Sequence, residues 1–253
     1  MRIYQLTSLA CGLTLAFGVA SSAMAENTAT IYQNGFGNDS SIEQYDNQNA
    51  AATVTTYGSF NDNVVVQQDT QSTTANILTS WGNNNDNYIN QEDVQNSSAD
   101  VFQNADFSKV VIEQSGTTSM VGGGCGWFGC WPGYPVTVDG TNQVAAVNQL
   151  SGWGHDAYIG QTGHNVSSTI TQSGHRNKAV SVQRGTGGDP DSSIITQSGS
   201  HNFASVDQYG KDLTSTVSQT GSFNVANVMQ KHSGQTATVT QVGHFNKANV
   251  IQH

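Results

Sequence analysis

The stretch Gln219-Thr-Gly221-Ser-Phe-Asn224-Val-Ala226-Asn-Val228-Met-Gln230 is answered further on by Gln241-Val-Gly243-His-Phe-Asn246-Lys-Ala248-Asn-Val250-Ile-Gln252. Both obey the rule Q-x-G-x-x-N-x-A-x-V-x-Q, and through this region Gln197, Gln208, Gln219, Gln230, Gln241 and Gln252 stand eleven residues apart. A step of eleven residues is too short to bury a core alone. Each step must therefore be one strand and one turn of a coil that packs only on its neighbours.

Working outward, eleven-residue copies also run from Gln33 to Gln44, Thr56 to Gln67, Ser80 to Gln91, Gln103 to Gln114 and Gln172 to Gln183, with weaker linking segments between them. Two strands make one turn of about 22 residues. The expected fold is all-β: a β-solenoid of two flat sheets.

Strand side chains alternate faces. Asn224, Ala226, Val228 and Gln230 then share one face, and Val225, Asn227 and Met229 the other; Asn38, Ser40, Ile42 and Gln44 take the inner phase and leave Asp39 and Glu43 outside. The same phase sends Asp62, Asp86, Asp100, Lys109, Glu113, Asp156, Lys178, Asp207 and Lys247 outward, and among aligned strands only Asp191, at a strand start, points in. A wrong register would not clear the interior of charge in this way. Amides left inside without partners would cost about 1–3 kcal/mol each. Stacked at the spacing of neighbouring turns, identical amides bond up and down their column. The glycines two residues after these positions (Gly35, Gly58, Gly82, Gly163, Gly174, Gly199, Gly210, Gly221 and Gly243) suit a turn of positive φ.

The chain divides into four segments. Residues 1–25 carry Arg2, an apolar run from Leu6 to Val19 and an A-x-A site ending at Ala25, the pattern of a signal peptide cleaved there. Residues 26–115 hold the acidic repeats, 116–137 an insertion, and 138–253 the C-terminal repeats. The leader implies export, and Cys11 leaves with it. Cys125 and Cys130 are then expected to form a disulfide in an oxidising compartment.

Charged residues are only 10% of the chain, and the net charge of −10 disfavours nucleic acid, which clustered cations bind. Between Glu26 and Phe107 stand eleven acids and no Lys or Arg; from Ser108 onward seven bases meet seven acids.

Glutamine, glycine, asparagine and alanine in this spacing resemble the curlin repeat of the curli major and minor subunits, secreted bacterial functional amyloids. The resemblance covers most of the chain from Gln33 to Gln252 and is most specific in the C-terminal repeats. It implies a two-sheet solenoid that stacks end to end into extracellular fibres for biofilm matrix and surface adhesion. The amide-ladder positions that carry over are Gln172, Asn177, Gln183, Gln197, Asn202, Gln208, Gln219, Asn224, Gln230, Gln241, Asn246 and Gln252. Implied partners are further copies of the chain, a nucleator subunit, secretion or chaperone proteins, and surfaces or matrix polysaccharide. The family's secretion-targeting stretch before the repeats has no counterpart here, because Gln33 closely follows the expected cleavage site. The export route, through a dedicated outer-membrane pore or otherwise, is therefore left open by the sequence.

Between Gln114 and Val138 the beat is lost, in a 24-residue gap containing Cys125, Trp127, Phe128, Cys130, Trp131 and Tyr134. Read as hiding one degraded strand, it gives about twenty strands in ten turns, a rod of roughly 50 Å. A disulfide-closed loop presenting Trp127, Phe128, Trp131 and Tyr134 could stack on sugars or dock a partner, or could pack on its own sheet.

Asp39, Asp62 and Asp86 recur at one outward position, where stacked like charges repel and would act as gatekeepers of assembly. His155, His164, His175, His201 and His244 lie in or beside turns, read as polar turn residues against the alternative of aligned metal ligands. No catalytic motif is present, no metal or cofactor is expected, and the chain is not read as an enzyme. A competing reading is a monomeric secreted binding module, either an adhesin or an ice-binding protein. The latter would use outward threonines such as Thr53, Thr55, Thr169, Thr171, Thr214, Thr216, Thr236, Thr238 and Thr240, a row interrupted by Ala75, Ile77 and Ile194.

Overall fold

The computed structural model describes residues 15–16, 27–121, 124–126, 129–131, 134–138, 140–186 and 189–253. Consecutive repeat strands pair not with each other but with the strand one turn on, always parallel and, apart from bulges in two of the pairs, in register. One sheet runs through Asp39–Tyr45, Asp62–Gln68, Asp86–Glu92, Lys109–Ser115, Asp156–Gly163 and Lys178–Gly185, then through the first half of Phe203–Ser222, the first half of Val225–His244, and Lys247–Gln252. The other runs through Thr28–Asn34, Ala51–Ser59, Thr74–Asn83, Ser98–Gln103, Val144–Trp153, Val166–His175 and Asp191–Ser200, then the second halves of the two long strands. This is the β-solenoid that the repeat encodes.

The described residues form nine turns, or rungs, rather than ten, and the reason lies in the insertion. Lys109–Ser115 pairs directly with Asp156–Gly163, and Ser98–Gln103 with Val144–Trp153, so the intervening residues add no rung. They form a hairpin instead: Thr117–Val121 runs antiparallel to Tyr134–Val138, and Gly124–Gly126 to Gly129–Trp131. Gly116 N donates to Glu92 O and Gly140 N to Asp93 O, the carbonyls of adjacent residues one rung below. Residues 117–139 are thus spliced into one corner. Their length is that of a full rung, which is why counting residues suggested a hidden strand.

The interior follows the alternation. Ala52, Val54, Ala75, Ile77, Ile89, Ala145, Ile159, Ile170, Ile195, Val217 and Ala226 are buried in one continuous core. Burying such side chains contributes roughly 1.5–3 kcal/mol for each larger one. The outward charges lie at exposed or half-buried positions as expected.

One register expectation is corrected. Ala75, Ile77 and Thr79 face inward and Asn76, Leu78 and Ser80 do not. The ladder position is Thr79, paired with Thr56, because two residues, Ser80 and Trp81, stand opposite Tyr57 in a β-bulge. Counting eleven back from Gln91 lands one residue late, and a slip of one residue exchanges the two faces. The outward row is therefore interrupted by Asn76, Asp100, Ala146 and Ile194, with Ala75 and Ile77 taking no part.

The corners add a feature that the glycine pattern did not reveal. Most of the named glycines have positive φ, but Gly82 does not; Trp81 beside it does, at 62°. Phe60, Asn84, Phe107, Arg176, His201, Phe223 and Phe245, each one residue before the strand-opening position, are also left-handed. Non-glycine residues enter this region at some cost. Here the strand-opening asparagine, or Ser108 after Phe107, holds the corner through bonds to backbone on the neighbouring rung.

Candidate functional site: the amide ladders and the end faces

The ladder glutamines place one Nε2 hydrogen along the column and, in most rungs, the other across it. Gln197 Nε2 donates to Gln219 Oε1 at 2.8 Å, and Gln219 Nε2 to Gln241 Oε1 at 2.8 Å and to Phe203 O of the facing sheet at 2.9 Å. In the other sheet the column runs from Gln44 to Gln67, Gln91, Gln114, Gln161, Gln183, Gln208, Gln230 and Gln252, each Nε2 donating to the next Oε1. Both amide hydrogens of such a glutamine are satisfied without water. Gln149 and Gln161 belong to the columns and were not singled out in the sequence, although Gly163 two residues after Gln161 was the signal.

The asparagines point the other way. Asn202 Oδ1 accepts from Asn224 N and Nδ2, both at 3.1 Å, while Asn224 Nδ2 donates to Gly243 O at 2.9 Å; Asn246 repeats the contact on Asn224. Asn177 Oδ1 takes Asn202 N at 3.0 Å. All twelve amides carried over from the repeat resemblance thus lie in ladder columns. The glycines stack against the same corners: a Cβ on Gly174 or Gly199 would collide with the carbonyl of the glycine one rung on.

Among the described residues two ionisable groups interrupt the interior. His155 is not a turn residue on the surface, as its sequence setting suggested. It is 1% exposed in the asparagine column between Ser108 and Asn177, with Nε2 2.9 Å from Ser151 O and Nδ1 without a partner. Burial, with a smaller effect of His175, lowers its pKa below the ordinary histidine value. Asp191 is fully buried, as its phase implied, between Val166 and Leu213. Its Oδ1 accepts from Leu213 N at 2.9 Å, Oδ2 has no partner, and burial pushes its pKa up to about 6.

Outside, Asp39, Asp62 and Asp86 do stack, and burial together with the two neighbouring carboxylates raises the pKa of Asp62. The column then alternates. Lys109 bonds Asp86 at 2.9 Å and Lys178 bonds Asp156 at 2.8 Å. Such exposed pairs are worth about 1 kcal/mol at most. Cys125 and Cys130 are directly opposed in the hairpin register; Trp131 and Tyr134 lie in its strands, whereas Trp127 and Phe128 fall outside the described residues. The segment expected to be a leader also falls outside them, except for the backbone of Leu15–Ala16, which pairs antiparallel with Thr30 and Ile31. Among the described residues no group of three or more His, Cys, Asp or Glu could hold a metal ion.

The ends differ from the middle in one respect. Ala29 and Ile31 in the first strand, and Ala248 and Val250 in the last, pack on the core yet are only partly buried, whereas their counterparts within the stack are covered. Each end presents a strand edge, an open slice of core and the end of an amide column.

The class this geometry defines is a repeat β-solenoid with amide ladders. Residues 194–221 match the family described as Curlin associated repeat, which supports the resemblance read from the sequence. The β-solenoid and that repeat together support a curli-like structural subunit in general terms. No curated protein matches the chain.

Proposed function

We propose that this protein is a secreted structural subunit of an extracellular, curli-like amyloid fibre that serves biofilm matrix and surface adhesion. The observation that carries the reading is the pair of open ends. Ala29 and Ile31 on one side and Ala248 and Val250 on the other lack the covering rung that all interior counterparts have. An uncovered parallel edge backed by apolar surface templates further strands. The matched repeat at residues 194–221 supports the same reading. In it, the twelve ladder amides act in assembly, the C-terminal rungs being the cleanest, and the stacked Asp39, Asp62 and Asp86 slow it by repulsion. Further copies of the chain are the principal partner; a nucleator, export proteins and matrix polysaccharide are lesser ones. Catalysis has no place in it.

The test is seeded and unseeded thioflavin fluorescence of the mature chain with fibre diffraction on the product. Seeds that shorten the lag, with reflections near 4.8 and 10 Å, are the expected result. A soluble, β-rich monomer that seeds do not convert would overturn it and favour a monomeric binding module displaying the 117–139 hairpin.

A further inference from the structure

We propose that the two ends join only head to tail, the last rung of one copy on the first rung of the next, in a single register keyed by Lys247 on Asp39. The inference rests on the fibre reading and adds to it the polarity and residue pairs of the junction. It concerns the chain after loss of residues 1–25, since Leu15–Ala16 otherwise lies along the edge at Thr30 and Ile31.

Three independent features fix the polarity. The first is the direction of the amide columns. In the two buried glutamine columns each link runs Nε2 to Oε1 from N-terminal to C-terminal rung, so Gln252 ends its column on the donor side and Gln44 begins it with the acceptor oxygen. Head-to-tail stacking extends that direction. Two C-terminal faces would set donors against donors and run the strands antiparallel, whereas every rung pairing in the solenoid is parallel.

The second feature is side-chain matching in the register that the rungs already share. Continuing the columns by one rung puts Ala248 on Ser40, Val250 on Ile42 and Gln252 on Gln44 of the next copy, and Ala237 on Ala29, Val239 on Ile31 and Gln241 on Gln33. Small meets small, branched meets branched and amide meets amide. A shift of one residue would put Lys247 or Ile251 over the core.

The third feature is charge. The outward column reads Asp39, Asp62, Asp86, Lys109, Asp156, Lys178, Phe203, Val225, Lys247. Within the chain each lysine that follows an aspartate by one rung is bonded to it, at 2.9 Å for Lys109 and 2.8 Å for Lys178. The head-to-tail junction brings Asp39 one rung after Lys247, the order in which Asp156 follows Lys109 in the chain, an adjacent pair of opposite charge that attracts. Two N-terminal faces would instead bring two acidic columns together, which like-charge repulsion opposes. The carboxylate that the acidic stack makes repulsive thereby becomes the attractive end of the junction.

Site-specific cross-linking reads the arrangement directly. Ser41 and Asn249 occupy the same outward column, so at a head-to-tail junction they are Cα partners one strand spacing apart, within disulfide reach. Fibres grown from a 1:1 mixture of Ser41→Cys and Asn249→Cys chains are oxidised, digested and analysed by mass spectrometry, with fibres of the unaltered chain as reference. The expected product is the 41–249 linked peptide; links of 41 to 41 or 249 to 249, or fibres without any 41–249 link, overturn the proposal. A second measurement uses elongation on matched seeds: Lys247→Asp should slow it about tenfold, and adding Asp39→Lys to the same chain should restore it, whereas independent effects of the two changes count against the key. If the unaltered chain forms no fibre, the underlying reading fails; if it forms fibres that link otherwise, only the polarity does.

Discussion

Replacing Asp191 with asparagine should make the monomer more stable at neutral pH and leave it unimproved in acid. The carboxylate is fully buried between Val166 and Leu213, with its pKa raised from 3.8 to about 6. A folded-state pKa above the unfolded value means that stability is complete below about pH 4 and is lost as pH rises through 6. A shift of about two units corresponds to roughly 3 kcal/mol of penalty at pH 7.5. Asparagine keeps an oxygen for Leu213 N–H, but its amide hydrogens meet the site where Oδ2 has no partner, a cost of about 1 kcal/mol. The net gain at pH 7.5 is then about 2 kcal/mol, turning to a loss of about 1 kcal/mol at pH 4. The assay is guanidinium unfolding of freshly desalted monomer at both pH values. Because the variant's own change is common to both, the difference between the two gains isolates the titration of Asp191. Equal gains, or a loss at pH 7.5, would refute the assignment of a buried carboxylate held against its charge.

Four further outcomes are expected. Alanine at Gln219, Asn224, Gln230, Gln241, Asn246 and Gln252 should slow fibre formation, followed by thioflavin, far more than alanine at Gln33, Asn38 and Gln44; equal effects would remove the asymmetry between the clean C-terminal rungs and the acidic N-terminal ones. His155→Asn should flatten the loss of stability that the wild type undergoes as pH falls through 6.5, because an imidazole with a lowered folded-state pKa is protonated first in the unfolded chain; unfolding midpoints at pH 7.5 and 5 check it. Gly174→Ala should cost at least about 2 kcal/mol in the same unfolding assay, since φ is +100° and the new methyl meets the Gly199 carbonyl. Deleting residues 117–139, which joins Gly116 to Gly140, should leave the circular dichroism and the fibre intact while abolishing surface attachment; loss of the fold would mean that the hairpin supports the stack.

Period-two alternation made the interior legible, because Ala, Val, Ile and the amides share one phase and the charges the other. The same logic placed Asp191 inside. What the sequence concealed were local insertions that a fixed period cannot register. The bulge at Ser80 and Trp81 adds one residue to a corner, so the ladder position fell on Thr79. A second register shift, between Gln149 and Ser151, hid Gln149 and Gln161 in the same way. The hairpin defeated counting for the opposite reason, since a segment as long as a rung leaves the period unchanged. His155 escaped because imidazole after glycine looks like a turn; only the stacking of Ser108 beneath it and Asn177 above shows that it fills an asparagine's place. The left-handed Phe60, Phe107 and Phe223 carry no compositional mark, because the next residue in the chain, not their own chemistry, holds them there.

The spliced corner has a consequence for whatever the chain builds. In a head-to-tail polymer the 117–139 hairpin recurs once every nine rungs, about 43 Å at the usual strand spacing, and always leaves the rod from the corresponding corner. Were the hairpin to carry attachment, its strength would depend less on the affinity of one hairpin than on how many a receiving surface engages at that pitch. A ruler of regularly spaced side branches favours extended, repetitive targets over isolated ones, and its spacing can be altered only in whole rungs.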